Sequence, residues 1–199
     1  YTVYGFEGRI QTEPSSSDFI MERVNADPEK EGKLTEVNGK KYQVCPLMRY
    51  VLIPTKSGNL SVGSSTFTCV FQLPDGRTIK KSLSSSPLNV KAKSLPNRPS
   101  DMDYIGAVGN YKISEGLTPN DGFKAGEAMT YRLKISGSGN LKMMNAPNLV
   151  FPDSFEVYPS NPINNVKYSA NGCTGDKVFD YVLIPRMGGE YTIPSFKFS

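Results

Sequence analysis

Two stretches of the chain spell the same five residues, Tyr50-Val-Leu-Ile-Pro54 and Tyr181-Val-Leu-Ile-Pro185. The match stays in phase beyond them: Gly58 corresponds to Gly189, Leu60 to Tyr191, Val62 to Ile193 and Phe67 to Phe198. Each copy reads as an apolar strand, a turn holding Pro and Gly, and a returning strand of alternating polarity. The spacing between positions 50 and 181 is that of a domain and rules out a short-period solenoid. The expectation is an all-β chain of two tandem immunoglobulin-like β-sandwich domains, over residues 1–97 and 98–199. Counted back by the repeat, the start of the first copy falls upstream of Tyr1, and the first copy runs on past the point where the second stops at Ser199. The chain is therefore expected to be a slice of a longer protein, with its first domain lacking an N-terminal part and its second truncated.

The local signals agree with strands. Aromatic residues (11 Tyr, 10 Phe) sit among 18 Gly and 15 Pro, and no long amphipathic helix can be traced. Strands are expected at residues 1–10, 19–24, 41–54, 60–73, 78–83 and 88–92, and again at 108–113, 129–135, 164–170, 178–185 and 190–198. Asn38-Gly39 signals a type I′ hairpin and Asp75-Gly76 a second tight turn. In the second domain Tyr131, Leu133 and Ile135 should face inward and Arg132 and Lys134 outward. The stretch 178–185 is apolar on both faces, as a mid-sheet strand is. Short edge strands are expected over 147–159, and residues 95–103, with two prolines, should form a short stiff linker that holds the domains in a preferred orientation.

Chemistry is sparse. Histidine is absent, which removes Ser-His-Asp and Cys-His catalysis and most catalytic zinc sites. Three cysteines without a CxxC signal neither a disulfide framework nor a zinc site. Cys45 and Cys69 are equidistant from Ser57, so a hairpin turning there would set them opposite each other and allow a cross-strand disulfide; bulges at Pro46 and Gly63 would shift that register and leave two core thiols. Asp101 and Asp103 flank the linker without the oxygen-rich spacing of a calcium loop. The net charge of +4 is spread thinly, and Lys80, Lys81, Lys91, Lys93 and Arg98 read as edge-strand and linker residues rather than a nucleic-acid surface. No apolar run is long enough to span a bilayer as a helix. No catalytic, metal or cofactor-binding residue is expected, and the chain is not read as an enzyme.

One segment has the look of a presented loop. Ser136-Gly-Ser-Gly-Asn140 follows a strand, and Leu141-Lys-Met-Met-Asn-Ala-Pro147 after it does not read as the long helix that a phosphate-cradling loop requires. Gly137, Ser138, Gly139 and Asn140 are either a turn closing a sandwich end or a rigid partner-contact loop, and in the second case Gly137→Trp should weaken binding while leaving the fold intact. Phe151, Phe155 and Tyr158 read as core residues of short strands or as a sugar-stacking platform.

The run Gly126-Glu-Ala-Met-Thr-Tyr-Arg-Leu-Lys-Ile-Ser-Gly-Ser-Gly-Asn140-Leu resembles the signature of the BatD (aerotolerance, oxygen-tolerance) family. Val37-Asn-Gly-Lys-Lys-Tyr42, with Leu52-Ile-Pro-Thr-Lys-Ser-Gly58, is similar to that family's preceding domain. Ser86-Pro-Leu-Asn-Val, Leu95-Pro and Ile105-Gly-Ala-Val-Gly-Asn-Tyr111 look like its interdomain junction. The resemblance implies tandem immunoglobulin-like domains in the periplasm, held by a membrane anchor elsewhere in the full-length protein. It implies protein partners, von Willebrand A-domain membrane proteins and tetratricopeptide proteins among them, in an envelope complex linked to oxygen or stress tolerance. It brings no catalytic residues. The expected function is thus a non-enzymatic protein–protein interaction or scaffold module that binds no nucleic acid, with a carbohydrate-binding or adhesin-type surface module as the alternative.

Overall fold

The computed structural model describes residues 7–26, 32–73, 75–97, 100, 102, 104–119 and 121–195. The chain divides into two compact units, residues 1–96 and 97–199. Regular structure among the described residues is all β apart from one 3-10 turn.

Among its described residues the first unit holds nine strands: β1 (Glu7–Thr12), β2 (Phe19–Val24), β3 (Lys33–Val37), β4 (Lys40–Val44), β5 (Arg49–Pro54), β6 (Gly58–Val62), β7 (Thr66–Gln72), β8 (Thr78–Ser84) and β9 (Leu88–Ala92). They pair antiparallel as β1-β7-β8, β2-β5, β3-β4 and β6-β9. The β3-β4 turn is the expected one, with Asn38 and Gly39 both at positive φ (51° and 73°). Phe19 on β2 packs against Leu60 and Val62 on β6, with Met21, Leu52, Val90 and Ala92 around them, so the β2-β5 and β6-β9 ladders face each other as two layers.

The expected continuous strands over 41–54 and 60–73 are each broken in two. Pro46 has no amide hydrogen for a ladder, and β4 and β5 go to different partners. The second break falls at Gly63, whose amide leaves the ladder to donate to the Ser15 carbonyl at 2.8 Å. Nor does the chain make a hairpin at Ser57. Asp18 holds the three-residue link instead: its carbonyl accepts from the Thr55 amide and hydroxyl (3.0 Å each). Its carboxylate accepts from the Ser61 amide (3.0 Å) and pairs with Lys56 (2.7 Å). Lys56 foremost, then the Ser61 amide, holds that carboxyl below its ordinary pKa. The chain thereby crosses from one layer to the other. Cys69 lies opposite Gly8 and Lys81, not Cys45, and both cysteines are thiols.

The second unit is built on one five-stranded sheet of β10 (Gly109–Thr118), β11 (Met129–Gly139), β12 (Phe155–Pro159), β13 (Ile163–Ser169) and β14 (Gly172–Pro185). Strand β14 is central, as its two apolar faces require: β11 pairs along one side, and β13 and then β12 along the other. Met129, Tyr131, Leu133, Ile135, Phe179, Tyr181 and Leu183 form the buried face. Leu141 and Met144, around the 3-10 turn Leu141–Met143, cover it together with Ile105, Leu149 and Phe151. Arg132 and Lys134 point the other way and pair with Asp180 (2.7 Å) and Asp176 (3.4 Å) on β14.

The sequence repeat has a structural counterpart. Phe19 lies opposite Pro54 in the first unit, and Phe155 opposite Pro185 in the second. The amide after each proline donates to the carbonyl before each phenylalanine: Thr55 to Asp18 at 3.0 Å, Arg186 to Ser154 at 2.8 Å. The likeness ends there. Residues 58–62 form β6, whereas 190–195 form no strand, and 196–198 lie outside the described residues. The side chains of that second segment pack without a ladder: Tyr191 stands edge-on to Phe155 with ring centroids 5.0 Å apart, and Ile193 joins the core.

Candidate functional site

Strand β11 runs four residues beyond its expected end, so Gly137, Ser138 and Gly139 are ladder residues and not a loop. Gly137 lies between Tyr111 on β10 and Gly175 on β14, Ser138 between Asn110 and Thr174, and Gly139 opposite Gly109. A Cβ on Gly137 would overlap the Asn110 carbonyl oxygen and sit 2.9 Å from the Tyr111 ring; one on Gly139 would overlap the Val108 carbonyl and crowd the Tyr111 hydroxyl. The two glycines form a trough in which the Tyr111 ring lies, a cross-strand aromatic shielding exposed glycine backbone. The expectation that Gly137→Trp leaves the fold intact is therefore corrected: no side chain fits between β11 and β10 there.

Asn140 ends the strand and clamps the incoming segment. Its Oδ1 accepts from the Val108 amide at 2.6 Å and from the Tyr111 hydroxyl at 3.3 Å, and its Nδ2 donates to the Gly106 carbonyl at 2.8 Å. The Asn145 amide donates to the Ile105 carbonyl at 2.7 Å, so residues 105–108 are stitched to 140–145. Burial, chiefly, pushes the Tyr111 phenol up to about 12. Sequence motifs at 105–111 and 136–141 are thus two halves of one packing joint.

Two of the three aromatics in 151–158 turn inward. Phe151 meets Tyr131 edge-on (centroids 5.7 Å) and Tyr181 at 5.5 Å, and Phe155 is taken by Tyr191. Tyr158 alone is exposed, at 53%, so these rings build no stacking platform.

Sequence reasoning gave Lys177 no attention. Its side chain enters the buried face of β14, donates to the Met144 carbonyl at 2.6 Å and stands 5.9 Å from the Phe179 ring centroid. Burial lowers its pKa, so the unfolded chain holds that proton more tightly. This group's contribution to stability therefore rises with pH from the lowered folded value up to the ordinary lysine value. Lys177→Met is expected to stabilise the second unit by about 1 kcal/mol at neutral pH, the lost bond to Met144 offsetting part of the gain. Equilibrium denaturation across pH 7 to 11 checks it (about four pH units): the advantage of the variant over the parent should shrink as pH rises.

Among the described residues no three His, Cys, Asp or Glu side chains gather as a metal site, and no helix is long and apolar enough to cross a membrane. Asp101 and Asp103 lie outside the described residues. What the second unit does present is an edge. Strand β10, ten residues long, pairs with β11 alone among the described residues. It carries no proline and one lysine, Lys112, whereas the edge strand β8 of the first unit carries Lys80 and Lys81 side by side. Ile113, midway along β10, is 43% exposed.

Residues 119–199 match the family model described as BatD DUF11 like domain. No curated protein and no solved structure matches the chain. The matched segment takes in β11 to β14 together with the Gly137–Gly139 trough and Asn140. Over residues 119–199, this chain is similar to the BatD family.

Proposed function

We propose that this chain is a non-enzymatic interaction module of a periplasmic envelope complex, and that the second unit takes an extended segment of a protein partner onto the free edge of β10. BatD-family proteins are envelope-associated. The observation that carries the reading is the ten-residue edge, which has no proline, a single lysine and one acidic residue, Glu115, that accepts from the Tyr131 hydroxyl. Outward amide and carbonyl groups along such an edge template a further strand, and alternate side chains select it. Ile113 and Leu117, on the core-facing side of β10, favour a segment with apolar residues at every second position. Von Willebrand A-domain membrane proteins and tetratricopeptide proteins are the partners to look for, in a complex serving oxygen or stress tolerance.

A photo-crosslinking residue at Ser114 in the full-length protein, in cells, tests this. Adducts with such a partner are expected, and Ile113→Lys should lower their yield about tenfold, equivalent to about 1.4 kcal/mol of binding. Thermal unfolding should be unchanged, because Ile113 lies outside the core cluster. Full adduct yield with the lysine variant, or no adduct in the parent, would remove β10 as the contact.

A further inference from the structure

The first unit contains a cavity of about 460 Å³ between its layers, walled by Met21, Met48, Tyr50, Leu52, Val62 and Phe67. Among the described residues none of its lining side chains is charged, in a chain with 42 charged residues (23 basic, 19 acidic). Polar groups of Ser65, Ser85 and Tyr50 along the wall already have partners. The Ser65 amide donates to the Ser85 hydroxyl and the Ser85 amide to the Ser65 carbonyl, both at 2.8 Å. The Ser65 hydroxyl donates to the Thr12 carbonyl at 3.0 Å, and the Tyr50 hydroxyl donates to the Glu13 carboxylate. A peptide backbone entering here would leave its own amides and carbonyls without partners. Two further lining residues, Leu47 and Leu88, stand 46% and 53% exposed, an apolar lip to an apolar hollow. The hollow is open to solvent on one side, so that without a ligand water lies against its methyl groups and rings.

We propose that the first unit binds a single uncharged hydrocarbon ligand, an acyl chain or a fused ring, in this cavity, independently of any partner on β10. Neutrality of the lining matches an uncharged occupant, and the satisfied wall matches one that makes no hydrogen bonds. Cys45 also lines the cavity as a partly exposed thiol, while Cys69 and Cys173 are buried, so iodoacetamide should alkylate Cys45 selectively.

The test uses the full chain and the uncharged fluorophore N-phenyl-1-naphthylamine. A saturable fluorescence gain at one equivalent is expected, and saturating probe should slow Cys45 alkylation about tenfold in the parent protein. Met48→Trp, which fills the cavity, should abolish the gain. Phe123→Ser should not, although it alters a smaller hollow of about 180 Å³ in the second unit. Displacement by dodecanol but not naphthalene supports the proposal with an acyl chain as the natural ligand; the reverse supports it with a ring. Alkylation unaffected by probe, a gain abolished by Phe123→Ser, or displacement by neither competitor would overturn it.

Discussion

Alanine at Gly137 is expected to destabilise the second unit by about 3 kcal/mol or more, the upper range for overpacking by a single methyl. The added carbon has nowhere to go: it meets the Asn110 carbonyl oxygen on one side and the Tyr111 ring on the other, and neither is the end of a flexible chain. Relief requires β10 to part from β11, which would also lift Tyr111 out of its trough. Gly116, on the same strand pair, is the control. A Cβ there meets nothing within 4 Å, so Gly116→Ala should change stability by no more than about 0.5 kcal/mol. Equilibrium denaturation of the full chain, with amide exchange in β11 to localise the effect, separates the two. Equal losses at both positions would overturn close approach as the cause, because the unfolded-chain effect of replacing glycine by alanine is stabilising.

How far the sequence carried the fold depended on whether a feature is local. Strand β2 and the Asn38-Gly39 turn were legible because their signals, β-branched or aromatic runs and positive-φ residues, sit within a few positions. The inward set Tyr131, Leu133 and Ile135 was legible from period two. Pairing was not. The Phe19–Pro54 and Phe155–Pro185 ladders are equivalent, but the segments joining their strands differ in length, so an in-phase repeat search misses the phenylalanines. Gly137 and Gly139 look like loop residues because glycine weakens an isolated strand. Their reason, the Tyr111 ring, is supplied by a neighbouring strand. Lys177 gives no warning either: an isolated lysine between Asp176 and Val178 reads as solvated, and only the register with Ile135 turns it inward.

Loss of the Asn140 side chain is expected to cost about 2–3 kcal/mol, because it strips bonds from two backbone groups at once. Asn140→Ala leaves the Val108 amide without its 2.6 Å acceptor and the Gly106 carbonyl without its 2.8 Å donor. Val108 is 41% exposed, so water can restore part of the first; Gly106 is less accessible. Asn140→Asp separates the two roles. A carboxylate still accepts from Val108 and Tyr111, but it turns a second oxygen toward the Gly106 carbonyl, where the amide nitrogen had donated. That repulsion favours the protonated acid, so the folded-state pKa of this aspartate should rise above its unfolded value. Its stabilising contribution is then present at low pH and lost as pH rises through the folded value. Against the parent protein, the aspartate variant should be nearly neutral at about pH 4 and approach the deficit of the alanine variant by about pH 7, while the alanine deficit stays flat. Denaturation midpoints of the three proteins at both pH values, with Val108 amide exchange, decide the matter. An alanine loss within about 0.5 kcal/mol would show that the joint between residues 105–108 and 140–145 is held by Ile105, Leu141 and the Asn145 amide without it.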